Sequence, residues 1–383
     1  MSRFALWQLG FRPFYLGASV FAAIAMAAWV AQCAGWTGGG VLVAGSLWHA
    51  HEMVFGYAMA VIVGFLFTAV RNWTQKATPT GPALAAIVAL WVMARLLVPT
   101  PWHALAMAFD VAFAIAAAIG IARPLVASAN TRNYFFVALL LALGAANAAF
   151  YLAMAGIISI DLSRDLQLGL DLILFLVAVM AGRVMPMFTA NAVPGSRARR
   201  HAGVERAALG TVLALFVADL FGLSKGVLGT IAILAALAHA ARFALWQPWR
   251  TLGRPILWIL HAAYAWVVVH LALRAGAAFD LVTSSVANHA LTVGAIGGLT
   301  LGMMTRTARG HTGRDLAASP AEVAVYALIL LAAVVRVLVP WLAPQHDLAA
   351  VVAAGLLWVA AFALFAVTFW PILSRPRIDG LKG

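Results

Sequence analysis

The sequence predicts an all-α integral membrane protein, a polytopic bundle of about twelve transmembrane helices. Of its 383 residues, 64% are hydrophobic and only 10% are charged, and the mean hydropathy is +0.97. A soluble domain of this size carries roughly a quarter charged residues. Apolar runs of about 17 to 25 residues, the length that crosses a bilayer, recur along the whole chain. The composition therefore excludes a soluble enzyme.

The apolar runs divide the chain into twelve predicted spans joined by short connections. They lie at about 13–34, 48–70, 83–99, 102–122, 134–156, 166–188, 206–223, 226–245, 255–273, 286–305, 321–342 and 347–373. No stretch between them is long or polar enough for a soluble domain. We therefore expect residues 1–383 to form a single integral membrane domain.

The basic residues predict the orientation of these spans. If the N-terminus is cytoplasmic, all but five of the 25 Lys and Arg fall in cytoplasmic loops, in the termini or at the cytoplasmic ends of the spans; the exceptions are Arg95, Arg164, Lys225, Arg274 and Arg336. This asymmetry follows the positive-inside rule, so we expect both termini to be cytoplasmic. The net charge of +13 then reflects topology and contact with the anionic lipid bilayer, and it does not indicate nucleic-acid binding.

An internal repeat relates helices 2–4 to helices 10–12. His51 and His289 are 238 residues apart, and an arginine follows each after twenty residues, Arg71 and Arg309. Rows of small residues match too; they are Gly56, Ala60 and Gly64 in the first copy and Gly294, Gly298 and Gly302 in the second. Such rows are typical of helix packing faces, and they would also leave room for a flat macrocycle. A histidine at the same depth in both copies suits a metal or haem held between two helices.

The segment Trp48–Met53 is the densest group of candidate ligands. His49, His51 and Glu52 lie together at the predicted outer end of helix 2, and His289 lies at the outer end of helix 10. Cys33 is the only cysteine, so a metal would depend on imidazole and carboxylate rather than on thiolate ligands. At about 100° per residue His49 and His51 point to different sides of the helix, and Glu52 could fix a histidine tautomer. The alternative is an interfacial belt of aromatic and histidine side chains.

Two histidines of helix 9 are further candidates. His261 and Tyr264 are three residues apart on one face, near the cytoplasmic side, and could ligate a second cofactor or relay protons. His270 lies near the outer end of the same helix and is a weaker candidate for metal binding. Ionisable groups inside a bilayer are costly and suggest function by default.

Arg95 and Arg336 occupy one repeat position, each four residues before a proline. An arginine inside a membrane helix needs an anionic or carbonyl partner. One interpretation is that both arginines extend to the outer surface. The other is that each binds a carboxylate such as a haem propionate through two parallel hydrogen bonds.

Five motifs resemble the NnrS family of haem- and copper-containing membrane proteins linked to nitric oxide metabolism. They are residues 11–14 (Phe-Arg-Pro-Phe), 48–53 (Trp-His-Ala-His-Glu-Met), 182–186 (Gly-Arg-Val-Met-Pro), 289–297 (His-Ala-Leu-Thr-Val-Gly-Ala-Ile-Gly) and 310–314 (Gly-His-Thr-Gly-Arg). The resemblance spans essentially the whole chain. It implies twelve helices, one or more b-type haems, copper as a second metal and a role in nitric oxide tolerance or consumption in the bacterial inner membrane. It does not identify the histidines that bind iron.

The layout supports a related hypothesis. The repeat is offset by eight helices, which disfavours the two six-helix halves of many transporters. Twelve helices with histidines on helices 2 and 10 resemble the catalytic subunits of haem–copper oxidases and nitric oxide reductases, although layout alone does not establish function. We therefore expect His289 with His51 or His49 to hold haem iron, and Arg95 and Arg336 to neutralise its propionates.

Three functions are consistent with the sequence. The first is a haem-dependent protein that binds nitric oxide and reduces it or limits its toxicity, using an electron donor that the sequence does not reveal. The second is a transporter or channel for a small molecule or metal complex. The third is a haem sensor without turnover. A transporter predicts no visible chromophore, whereas a haem protein predicts a Soret absorption band.

Overall fold

The computed structural model describes residues 4–36 and 45–381, and within these ranges the chain forms helices and turns without a β-strand. The described part contains twelve principal helices that follow the predicted spans to within a few residues. They are α1 Phe11–Cys33, α2 Gly45–Thr74, α3 Gly81–Leu97, α4 His103–Ala127, α5 Phe135–Met154, α6 Leu162–Ala192, α7 Ala202–Phe221, α8 Lys225–Leu245, α9 Pro255–Ala278, α10 Ser284–His311, α11 Pro320–Leu342 and α12 Asp347–Ser374.

Ten regions of the described chain are long and apolar enough to cross a membrane. The two helices outside this set differ for separate reasons. Helix α3 is apolar but has only 17 residues, and α7 carries three charged residues, Glu205, Arg206 and Asp219. The prediction of an all-α, multi-pass membrane fold is confirmed.

The chain divides into two compact units. Unit 1 comprises Met1–Leu172, Thr307–Asp315 and Ala366–Gly383, and unit 2 comprises Ile173–Arg306 and Leu316–Phe365. In unit 1, α2 packs against α1 and α4, and α4 packs also against α3 and α5. In unit 2, α8 packs against α7 and α9, and α10 packs against α9 and α11. The assignment of residues 1–383 to one membrane domain stays a prediction.

Helices α2 and α10 each contain a π-helical stretch, in which the turns are wider than those of an α-helix. The stretches are Glu52–Ala58 and Ala290–Gly297, and they begin directly after His51 and His289. The two copies of the sequence repeat thus share a local irregularity in the same register. Because π-helical turns are rare and frequently occur at functional sites, they draw attention to the two histidines.

Candidate functional site

A buried polar cluster in unit 1 surrounds the start of the first π-helical stretch. We call it the α2 cluster, and it consists of His51, Glu52, Arg95, Asp110 and Asn147. His51 is 1% exposed, with Nδ1 2.9 Å from Oε1 of Glu52 and Nε2 2.8 Å from Oδ1 of Asn147. The predicted contact between Glu52 and a histidine is present. Both ring nitrogens are engaged, so His51 could ligate a metal only by giving up one of these hydrogen bonds.

Arg95 joins two buried carboxylates in the same cluster. Its Nη1 donates to Oε1 of Glu52 at 2.6 Å, and its Nη2 forms an ion pair with Asp110. The hydroxyl of Tyr151 donates to the other oxygen of Asp110 at 2.8 Å. The protein itself therefore supplies the negative charge that a haem propionate was expected to supply. These carboxylates remove the reason to expect a propionate beside Arg95. A role for Arg95 in cofactor binding stays a prediction.

His49 lies on another side of α2 from His51, as the helical spacing predicts. Its ring stacks on Trp29 of α1, with centroids 5.0 Å apart and planes 8° apart. His49 is half-buried, whereas His51 is buried. The two histidines therefore occupy different environments.

The rows of small residues are packing faces. A Cβ at Gly294 would lie 2.4 Å from Cγ of Trp266, and one at Gly302 would lie 2.8 Å from a methyl carbon of Leu260, both on α9. In unit 1, a Cβ at Gly64 would lie 2.7 Å from Cβ of Phe14. Side chains of the neighbouring helices thus occupy the space beside these glycines, and a flat macrocycle does not fit there.

In unit 2, His289 and Arg336 meet at one residue of α10. Nδ1 of His289 donates to the backbone carbonyl of Ser285 at 2.7 Å, and Nη2 of Arg336 lies 3.4 Å from the hydroxyl of Ser285. Arg336 also pairs with Asp347 at 3.2 Å. The structure thus brings together two of the predicted site residues. His289 belongs to unit 2 and both His49 and His51 belong to unit 1, so the predicted pairing of these ligands stays a prediction.

His270 of α9 is buried and is held in the same way as His289. Its Nδ1 donates to the backbone carbonyl of Ala287 at 2.8 Å. In both rings this hydrogen bond fixes the tautomer in which Nε2 carries the lone pair. Haem and metal ligands in proteins commonly have this arrangement.

His261 has the opposite arrangement. The hydroxyl of Thr189 donates to the carbonyl of Met185 at 2.9 Å, so it accepts from Nε2 of His261, also at 2.9 Å. Nδ1 of His261 then carries the lone pair, and this buried atom has no hydrogen-bond partner in the described part of the chain. His261 thus remains a candidate ligand through Nδ1.

A second buried cluster lies on α7, α8 and α9 in unit 2. We call it the α8 cluster, and it consists of Glu205, His239, Arg242 and Tyr264. Arg242 donates to both oxygens of Glu205, at 2.9 and 2.7 Å, and to the hydroxyl of Tyr264 at 3.1 Å. That hydroxyl lies 2.7 Å from Nδ1 of His239, whose Nε2 donates to the carbonyl of Ala208 at 3.1 Å. The chain of hydrogen bonds ends at a backbone carbonyl, so the geometry favours a structural role for Tyr264 over the predicted proton relay.

The described residues offer no group of three or more His, Cys, Asp or Glu side chains arranged to hold a metal ion. A protein-ligated copper site normally needs several side-chain ligands. Haem differs, because its macrocycle supplies four nitrogens and one histidine can suffice as the axial ligand. The side chains present therefore fit haem better than copper.

Comparison with known families decides the classification. The family described as NnrS protein matches residues 5–377, nearly the whole chain. The chain belongs to the NnrS family. No curated protein matches the sequence. The resemblance seen in the five motifs is thereby confirmed.

Three of the five NnrS motifs lie at the two clusters or at a helix end. Residues 48–53 contribute His51 and Glu52 to the α2 cluster, and Gly182 of the motif 182–186 lies against Arg242 of the α8 cluster. Arg12 of the motif 11–14 donates to the carbonyls of Leu373 and Arg375. The sequence alone did not associate Asn147 with His51, or Glu205 with Arg242. A signal was present for Asn147 and Arg242, because each is a polar residue inside an apolar run.

Proposed function

We propose that this NnrS protein binds b-type haem through His289 in the bacterial inner membrane and acts in nitric oxide reduction or resistance. The NnrS family is linked to nitric oxide metabolism, and ten candidate membrane spans make the chain a multi-pass membrane protein. The asymmetry of Lys and Arg supports cytoplasmic termini. Nitric oxide is uncharged and enters the apolar phase, so a membrane-embedded site is accessible to it.

The observation that carries the proposal is the meeting of His289 and Arg336 at Ser285. The 2.7 Å hydrogen bond from Nδ1 of His289 to the carbonyl of Ser285 orients the ring and leaves the lone pair on Nε2. The guanidinium of Arg336 lies 3.4 Å from the hydroxyl of the same residue. A ligand for iron and a cation for a propionate would thus be close to each other in this part of unit 2.

Each of the two side chains has a separate task in this proposal. His289 would hold the iron, and its anchored Nδ1–H would keep the imidazole in one orientation. Arg336 would receive a propionate, because a guanidinium matches a carboxylate with two parallel hydrogen bonds. Its present partner Asp347 is largely exposed and can be replaced as a counter-ion without leaving a buried charge. When bound, haem would supply an iron centre that takes up nitric oxide and exchanges electrons with a donor.

The test is the absorption spectrum and haem content of the purified full chain. We expect a Soret band in the wild type and at most about a tenth of the haem per folded protein in His289→Ala, since a lost axial ligand costs at least that factor in affinity. His103→Ala, which removes an exposed histidine at the start of α4, is the control and should retain its haem. A wild-type protein without a Soret band after haem reconstitution would contradict haem binding and support the transporter alternative.

A second variant separates the question of which histidine binds the iron from the question of whether the protein binds haem. If His261→Ala loses haem and His289→Ala retains it, the ligand is His261 and our assignment is wrong although haem binding stands. Nitric oxide consumption with a chemical electron donor then distinguishes a reductase from a haem sensor. A reductase turns over many equivalents per haem, whereas a sensor binds one.

A further inference from the structure

A buried arginine at the start of α1 has no counter-ion among the described residues. Arg12 is 0% exposed, although it lies in the first turn of the helix. Its Nη1 donates to the carbonyl of Leu373 at 2.9 Å and to that of Arg375 at 2.7 Å, at the end of α12. Within the described ranges, no carboxylate forms an ion pair with Arg12.

The remaining donors of Arg12 form one edge of the guanidinium. Nε and Nη2 are buried, and neither has a hydrogen-bond partner among the residues that the structure describes. These two nitrogens are the pair that binds two oxygens of a phosphate or carboxylate side by side. A buried cation without an anionic partner is strongly unfavourable, so this edge indicates an anion that the described part of the chain does not provide.

The surroundings of Arg12 are themselves cationic. Arg314 and Arg377 lie close enough to act electrostatically on the charge of Arg12. Burial, followed by the positive charges of Arg309 and Arg375, lowers the pKa of Arg314. Nη1 of Arg314 is also buried without a partner in the described structure. Several guanidinium groups therefore converge where a single carboxylate would not balance them.

The carboxylate of Asp379 is already engaged nearby. Nε of Arg377 donates to Oδ1 of Asp379 at 2.9 Å, and this hydrogen bond holds the pKa of the Asp379 carboxyl at about 2. Arg377 also donates to the carbonyl of His311 at 3.1 Å, which fixes its side chain beside the loop that carries Arg314. Asp379 therefore balances one of the converging charges.

We propose that Arg12 and Arg314, with the positive charge of Arg377 beside them, form a binding site for a phosphate group, which we call the arginine site. A phosphate group carries more charge than a carboxylate and has enough oxygens to accept from more than one guanidinium. The group can belong to the headgroup of an anionic lipid or to free inorganic phosphate, since both present the same oxygens. The site is built entirely from unit 1 and does not depend on haem binding.

The experiment measures thermal unfolding of the purified full chain in an uncharged detergent. One arm compares potassium phosphate with potassium chloride at equal ionic strength. The other compares detergent doped with phosphatidylglycerol with detergent doped with phosphatidylcholine. A ligand that binds only the folded state raises the melting temperature in a concentration-dependent way.

Three variants make the test specific. Arg12→Gln and Arg314→Gln should need an at least about tenfold higher phosphate or phosphatidylglycerol concentration for half-maximal stabilisation, because a hydrogen bond to a charged group contributes about that factor. Arg250→Gln, which removes an exposed arginine of unit 2, should behave like the wild type. If Arg12→Gln does not fold, Arg314→Gln decides the question, because its side chain is only partly buried.

The outcomes separate the sources of the phosphate. Stabilisation by phosphatidylglycerol alone supports a lipid headgroup, and stabilisation by potassium phosphate supports a soluble phosphate. If neither ligand stabilises the wild type, the arginine site is overturned. It is also overturned if Arg314→Gln responds like the wild type, as the control Arg250→Gln does. Haem content of the same variants should stay unchanged, so a failure here is distinguishable from a failure of the proposed function.

Discussion

Gly182 lies directly against the guanidinium of Arg242. A Cβ at Gly182 would lie 1.7 Å from Nη2 of Arg242 and 2.6 Å from Oε2 of Glu205. Arg242 is 1% exposed, so its side chain has no alternative position in solvent. The glycine that opens the motif 182–186 is therefore required for the ion pair between α7 and α8 to form.

We predict that Gly182→Ala destabilises the protein by about 3–5 kcal/mol, the cost of breaking a buried ion pair. Thermal unfolding of the purified protein measures this loss. Gly210→Ala is the matched control, because nothing lies within 4 Å of a Cβ at Gly210 of α7. Equal melting temperatures for the two variants would show that the glycine is not needed for the pair.

The α2 cluster yields a second prediction. Arg95→Gln leaves the buried carboxylates of Glu52 and Asp110 facing each other without their shared cation. We expect a loss of about 3–5 kcal/mol in stability or a failure to accumulate in the membrane. Arg95→Lys, which keeps the charge, should recover part of the loss. Wild-type melting behaviour in Arg95→Gln would contradict the role of the ion pairs.

Arg336 should behave differently from its repeat counterpart. Its partner Asp347 is largely exposed, so Arg336→Gln should cost no more than about 1 kcal/mol in stability. If Arg336 receives a propionate, the same variant should loosen haem or shift its reduction potential. Spectroelectrochemical titration checks this. Unchanged haem content and potential in Arg336→Gln would rule out the propionate assignment.

The orientation in the membrane can be tested with a reporter that is active only in the periplasm. Because the basic residues concentrate on one side, a fusion after Gly383 should be inactive. A fusion after Asp161, between α5 and α6, should be active and serves as the matched control. An active fusion after Gly383 together with an inactive one after Asp161 would invert our topology.

Much of the fold was predictable because membrane helices depend on local composition. The apolar run at 166–188 lies within α6, which extends over Leu162–Ala192 because a helix continues through polar residues after the hydrophobic stretch ends. The repeat register was predictable for the same reason, since it needs only the spacing around His51 and His289.

The contacts between distant residues were not predictable. Arg242 binds Glu205 across 37 residues of sequence, and His51 binds Asn147 across 96. Helical periodicity assigns a residue to a face, but it does not identify the helix that packs against that face. The buried position of Arg12 was not predictable for a related reason, because the sequence does not reveal that the end of α12 binds its Nη1.

The shared π-helical stretches set the direction in which the C-terminal half of each helix faces. One residue more or less in a helix rotates everything that follows by about 100° around the axis. Between His51 and Thr74 and between His289 and Thr312 the spacing is identical, and both π-helical stretches begin one residue after the histidine. The residues that follow each stretch therefore keep the same orientation relative to their histidine in both copies. Deleting one residue from either stretch would turn the C-terminal half of that helix away from its packing partners.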